Sequence, residues 1–146
     1  MRGETFRTAI LVTCAAAAVA AVAVAGEPQT AKVYKGGNGE RVTVVRRAGG
    51  STEALVKVEG TDTRLDGRIF KVEISRWGDK EDWFTYELGG TRYALITLRG
   101  GSHAIYPGEG KDSISIRYDE KASAEAKPDA IAEEYRASKA KDGGGK

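Results

Sequence analysis

The chain has few of the side chains from which metal and redox sites are built, because its 146 residues include one cysteine and one histidine. A single residue of each type cannot make a His/Cys zinc cluster, a Cys-x-x-Cys redox pair or a disulfide framework. We therefore expect no metal site and no cofactor. We also expect one small domain whose stability comes from an apolar core.

An excess of charge of one sign is lacking too, since 23 Lys and Arg residues stand against 21 Asp and Glu residues, for a net charge of +2. Such a balanced surface has no dense basic field to attract a nucleic acid backbone or an anionic membrane. The sequence therefore predicts a chain that does not bind nucleic acid.

Residues 1–25 have the composition of a secretory signal peptide. Arg2 and Arg7 form a positive start, and the run 9–25 is uncharged but mostly alanine, so it is weakly apolar and short for a permanent membrane span. Ala23 and Ala25 are small residues at the positions that a signal peptidase accommodates. We expect cleavage after Ala25, a mature chain without a membrane span, and a periplasmic or secreted location.

Cys14 follows Leu11-Val12-Thr13, and together they loosely resemble the lipobox of bacterial lipoproteins. A lipobox cysteine ends the apolar region, whereas Cys14 lies in its middle and Thr13 is larger than the residue usual before that cysteine. We favour a small apolar residue in a discarded segment, with lipidation of Cys14 as the alternative.

Residues 26–119 are built from short runs of β type that are separated by glycine-rich turns. The run 113–118 alternates strictly, which predicts a buried face of Ile114, Ile116 and Tyr118. The run 68–76 alternates in the same way. The predicted strands are residues 31–35, 40–47, 53–59, 68–76, 82–88, 91–99, 102–106 and 113–118.

The short connections between these strands exclude crossover helices, and so they predict an all-β antiparallel meander. About eight strands in this order close into a barrel or fold into a sandwich, and we favour the barrel because closure removes exposed edges. A barrel this small fills its interior with side chains, so binding is expected on its loops or outer face. The predicted interior residues are Val42, Val44, Val56, Phe70, Ile74, Phe84, Leu95 and Ile96.

Residues 120–146 form an alanine-rich charged tail. We expect a linker over 121–127 and a short helix that begins at Pro128 and ends before Gly143. Ile131 and Tyr135 give this helix only a thin apolar stripe, which favours a free tail over a helix docked on the barrel.

No arrangement of residues in the sequence predicts catalysis. Gly100-Gly101-Ser102-His103 is one residue short of a nucleophile elbow, whose serine must lie on a strand-to-helix turn. Ser102 and His103 instead begin a strand and point to opposite faces. The acidic residues near 79–82 lack the spacing of a calcium loop and indicate a solvated loop. We therefore expect that the chain is not an enzyme.

Trp77 and Trp83 bracket a charged loop of mixed sign. Large amphipathic rings of this kind anchor protein interfaces or stack on sugars, although they also pack the ends of barrels. Tyr86 and Tyr93 flank the turn at 89–90 with the same alternatives. The predicted binding residues are Trp77, Asp79, Lys80, Trp83, Tyr93, His103 and Tyr106.

The segment Tyr34-Lys35-Gly36-Gly37-Asn38-Gly39-Glu40-Arg41-Val42-Thr43-Val44 joins a tyrosine, an Asn-Gly turn and an alternating valine strand, and the run 53–58 follows it. It resembles the opening hairpin of the periplasmic, membrane-bound inhibitors of C-type lysozyme, over roughly the first third of the mature chain. Gly36 stands where that family usually has a cysteine, and Gly89 replaces the serine of its Ser-Gly-x-x-Tyr motif. The resemblance implies an eight-stranded barrel and an inhibitory role.

Together these features predict an exported, noncatalytic β-domain that binds another protein through its loops or outer surface. The partner would be an envelope-acting hydrolase or toxin, with this chain as its inhibitor or immunity factor. The alternative is an envelope protein that binds a small molecule, a glycan or a metal.

Overall fold

The structure, a computed structural model, describes residues 29–47, 51–78, 81–108 and 110–143. The predicted signal peptide with Cys14, and the predicted site residues Asp79 and Lys80, lie outside the described residues. Eight strands follow one another round a closed antiparallel barrel, and two helices come after them. Their bounds are β1 Gln29–Gly36, β2 Arg41–Arg47, β3 Glu53–Glu59, β4 Arg68–Trp77, β5 Glu81–Leu88, β6 Thr91–Arg99, β7 Ser102–Ile105, β8 Ile114–Asp119, α1 Glu120–Glu125 and α2 Pro128–Asp142.

The closed meander confirms the predicted barrel and excludes the sandwich. Each strand pairs with its neighbour in the sequence, and β8 returns to pair with β1, where Tyr34 lies opposite Tyr118. Over the described ranges, no helix is both long enough and apolar enough to span a membrane.

The turn between β1 and β2 is held together by the side chain of Glu40. Its Oε2 atom accepts a hydrogen bond from the backbone N–H of Asn38 at 2.8 Å, and the residue is almost fully buried. A Cβ atom at Gly36 would overlap this carboxylate. Gly36 therefore leaves the room that Glu40 needs, and a cysteine there would displace the Glu40 side chain.

The middle of the barrel is filled by inward-facing apolar side chains. Phe84, Leu95, Ile96 and Ile105 are fully buried, and removal of a buried ring such as that of Phe84 costs about 3–5 kcal/mol. The predicted interior is confirmed at Val42, Val44, Val56, Phe84, Leu95 and Ile96.

Four inward-facing residues are less buried than the alternation predicts. Phe70 and Ile74 lie toward opposite ends of β4, Ile114 begins β8, and all three are only partly buried. Tyr118 is 49% exposed, so its predicted burial is wrong. It does lie on the same face as Tyr34, but at the open end of the barrel, where few neighbours surround it.

Strand β2 is buried on both of its faces. Val42 and Val44 face the interior, whereas Thr43 and Val45 face outward and are nevertheless buried. Val33 of β1 is the cross-strand partner of Thr43 and is fully buried on the same outer face. We call the outward faces of β1, β2 and β3 the covered wall.

Helix α1 covers one part of this wall, so the predicted linker over 121–127 is wrong for most of its length. Asp119 caps the helix by accepting a hydrogen bond from the N–H of Ala122 at 2.8 Å. Ser123 Oγ accepts another from the N–H of Val33 at 2.8 Å, which joins α1 to β1. Helix α1 could have been predicted from Asp119, an N-cap residue directly before a run of good helix formers.

Helix α2 confirms the helix predicted from Pro128, but the predicted free tail is wrong. Ala132 is buried and lines, with Val45 and Leu55, the cleft between α2 and the barrel. Lys57 Nζ lies 2.9 Å from Glu134 Oε2 across the same contact. The helix docks through a small residue, which allows a close approach that the stripe of Ile131 and Tyr135 did not indicate.

Candidate functional site

Three of the predicted binding residues share the outward face of strands β4 to β7. Trp83 pairs with Ser75 on one side and with Thr97 on the other, and Trp77 lies diagonally from Trp83 across β4 and β5. Tyr106 follows β7 and stacks near Trp83. We call Trp77, Trp83 and Tyr106 the aromatic patch.

The rings of Trp83 and Tyr106 are nearly parallel, with an angle of 12° between their planes and 6.4 Å between their centroids. Thr97, the β6 partner of Trp83, is only 5% exposed. Trp83 Nε1 is buried and has no hydrogen-bond partner in the described part of the chain. A buried N–H group without a partner costs about 1–3 kcal/mol, so this donor calls for an explanation.

Trp77 is the most exposed large apolar side chain in the described ranges, at 67% of its surface. The charges beside it are already paired. Arg99 donates two hydrogen bonds to Glu81 Oε2, at 2.7 and 3.1 Å. The patch therefore offers exposed apolar area with a rim of arginine and carboxylate groups.

A second group of residues occupies the inside of the barrel at one end. The strand register places Arg46, Arg76, Asp82 and His103 on the inward face near this end. Tyr34 and Tyr118 join them on the same face. We call these six residues the polar mouth.

Asp82 is the centre of the ionic part of the polar mouth. Its two oxygens accept hydrogen bonds from Arg46 Nη2 at 3.1 Å and from Arg76 Nε at 3.2 Å. Burial alone would raise the pKa of Asp82, but the hydrogen bonds and positive charges of the two arginines outweigh it and lower that pKa. Arg46 also lies 5.0 Å above the ring of Phe84, so its charge is held against the floor of the mouth.

The aromatic part of the polar mouth surrounds the ring of Tyr34. The rings of His103 and Tyr118 contact it edge-on, with centroid distances of 5.3 and 5.7 Å. Burial raises the pKa of the Tyr34 hydroxyl, although the positive charge of Arg46 opposes this. His103 Nδ1 is buried and has no hydrogen-bond partner among the described residues.

The structure separates the remaining predicted residues from the aromatic patch. Tyr93 lies at the opposite end of the barrel and stacks on Tyr86, with 5.6 Å between centroids, and Tyr86 in turn packs on Phe70 at 5.0 Å. His103 belongs to the polar mouth inside the barrel. Thus Trp77, Trp83 and Tyr106 come together, whereas Tyr93 and His103 do not join them.

Sequence reasoning missed the polar mouth as a unit, although a signal for it was present. Arg46 has the same alternation phase as Val42 and Val44, and Asp82 has the phase of Phe84. At one end of the barrel, charged residues take the inward-facing positions of several strands. This pattern indicates an interior that changes from apolar to polar.

Among residues 29–47, 51–78, 81–108 and 110–143, no group of three or more His, Cys, Asp or Glu side chains is placed to hold a metal ion. The chain matches no model of a known protein family, and neither a curated protein nor a solved structure is significantly similar to it. The resemblance to the lysozyme inhibitors therefore stays a prediction that rests on the opening hairpin.

Proposed function

We propose that this chain is an exported, noncatalytic binding domain that captures a protein partner through the aromatic patch, as an inhibitor or immunity factor in the cell envelope. The observation that supports this most directly is the state of Trp83. Its indole N–H is buried without a hydrogen-bond partner among the described residues, its ring stacks near that of Tyr106, and the exposed ring of Trp77 lies close by. An acceptor group of a partner that reaches Trp83 Nε1 would satisfy this donor.

The composition of the patch and its rim favours a protein over a sugar as the ligand. Tryptophan, tyrosine and arginine are the residues most enriched at the energetic centres of protein interfaces. Arg99 flanks the patch, and its hydrogen bonds to Glu81 would hold it in place for a partner. Exposed apolar rings with paired charges at their rim also fit the apolar centre and polar rim of such interfaces.

The proposal is tested by capture of partners from an envelope extract with three purified proteins: the wild type, Trp83→Ala and Leu88→Ala. Leu88 is the matched control, because it is 64% exposed but lies at the opposite end of β5. Mass spectrometry should identify a protein that the wild type and Leu88→Ala retain and that Trp83→Ala loses. That protein is then purified, and its Kd is measured with each variant.

Loss of a central tryptophan should weaken binding by at least about 2 kcal/mol, or roughly thirtyfold in Kd. Thermal unfolding of Trp83→Ala should remain cooperative, so that lost capture reports on the surface and not on the fold. Equal recovery by Trp83→Ala and the wild type, or equal loss by both variants, would rule out the aromatic patch as the interface.

A further inference from the structure

The barrel is solid in its middle but open at the end that carries the polar mouth. Inward-facing residues in the middle, such as Val56 and Ile96, have no exposed surface. Toward the mouth, the inward-facing side chains of Arg46 and Arg76 are 34% and 71% exposed. Solvent therefore reaches the outer side chains of the polar mouth, and the buried layer of Phe84 and Tyr34 lies beneath them. We call this solvent-facing surface of the polar mouth the cup.

Among the described residues of the cup, one carboxylate faces two arginines, so these groups keep a net positive charge. Asp82 supplies one negative charge to two arginines, and its low pKa keeps it ionised. In the described structure each guanidinium gives Asp82 one hydrogen bond, which leaves further N–H donors on both. Contact with Phe84 holds Arg46 in place before any ligand arrives.

The opposite side of the cup is made of rings. Tyr34, His103 and Tyr118 meet edge to face, and their edges and faces suit the packing of another ring. His103 Nδ1 adds a buried polar atom that has no hydrogen-bond partner among the described residues. Asp82, Leu98 and His103 are successive cross-strand partners, so the ionic and aromatic sides lie two strand spacings apart, roughly 10 Å.

We propose that the polar mouth binds a small aromatic carboxylate. The carboxylate accepts hydrogen bonds from the N–H groups of Arg46 and Arg76 that Asp82 leaves free, and the ring lies against Tyr34, His103 and Tyr118. Planar, two-pronged hydrogen bonding suits arginine and carboxylate groups, and the span of the cup matches a single ring with one acidic group. This site is inside the barrel and is separate from the aromatic patch, so it does not depend on the protein partner proposed above.

The test uses benzoate as the probe and benzamide as its uncharged counterpart, both titrated into the purified chain by calorimetry and by NMR. Benzoate should bind saturably in the millimolar range or tighter, and benzamide at least tenfold more weakly. Arg46→Gln and Arg76→Gln should each weaken benzoate binding at least tenfold. Arg76→Gln should leave the fold intact, because the Arg76 side chain is mostly exposed, so a loss of benzoate binding in this variant reports on the site.

Two matched controls separate this site from the rest of the surface. Arg92→Gln removes an arginine that pairs with Glu73 far from the mouth, and Trp83→Ala removes the centre of the aromatic patch. Neither should change benzoate binding. Absence of saturable binding, equal binding of benzamide, or an equal loss in Arg92→Gln would overturn the proposal. Phenyl phosphate as the only ligand that binds would also overturn it, because it would assign the cup to phosphates.

Discussion

The two outer walls of this barrel differ although the same meander builds both. On the covered wall, outward-facing Val33 and Val45 are buried beneath α1 and α2. On the wall of β4 to β7, outward-facing positions carry Ser75 and the aromatic patch, and Trp77 is the most exposed large apolar residue in the described ranges. The comparison teaches that a continuous apolar strand calls for a covering layer, whereas isolated rings among polar residues do not.

The largest expected difference between the walls comes from placing a charge on each of them. Val45→Asp places a charged group at a buried position under α2, which should destabilise the fold by about 3 kcal/mol or more. Ser75→Asp, at an outward-facing position on the wall of β4 to β7, should lower the stability of the fold by about 1 kcal/mol or less. Urea unfolding of the two variants measures the difference. Equal costs at both positions would mean that the helices do not cover β2 in solution.

Strand β2 shows how much of the difference between the two walls can be predicted from the sequence. The run Val42-Thr43-Val44-Val45 has apolar character in both phases, and such a strand is typical of burial on both faces. The strands and the closed barrel follow from alternation and short turns. The covering helices could have been inferred from Val45, but the apolar stripe of α2 is too thin to reveal its own docking.

The polar mouth, in contrast, shows what the sequence does not predict. The alternation places Arg46, Arg76 and Asp82 on the inward face of their strands, and this can be read from the sequence. Their meeting depends on the shear of the closed barrel, which brings β2 against β5 across the interior, and local patterns do not encode it. The contact of Tyr34 with His103 is hidden for the same reason.

A smaller effect is expected where the covering helix itself is changed. Ala132→Asp places a charge in the contact between α2 and the barrel, and it should cost about 1–3 kcal/mol and expose Val45 and Leu55. Ala137→Asp changes the same helix at an exposed position and controls for helix propensity. Amide hydrogen exchange should quicken in α2 for Ala132→Asp alone. The same increase in both variants would show that α2 is not docked through Ala132.

The smallest expected effect compares two acidic groups, Asp82 of the polar mouth and Asp119 at the start of the covering helix α1. The pKa of Asp82 is lowered, with hydrogen bonds from Arg46 and Arg76 outweighing burial, and the pKa of Asp119 is lowered by the N–H of Ala122 and by Lys35. A carboxyl group with a depressed folded-state pKa stabilises the fold above its unfolded pKa of about 4. That stabilisation is lost as the pH falls through the folded value.

Asp119→Asn keeps an N-cap of equal quality and removes only the charge, so its effect at pH 7 should be small. Asp82→Asn removes the negative charge between two arginines and should cost more at pH 7, although less than about 1 kcal/mol because the arginines reach solvent. Each variant should lose less stability than the wild type between pH 5 and pH 2, as measured by urea unfolding. An unchanged acid response in Asp82→Asn would mean that the arginines of the polar mouth do not hold this carboxylate in solution, and the positive cup would lose its physical basis.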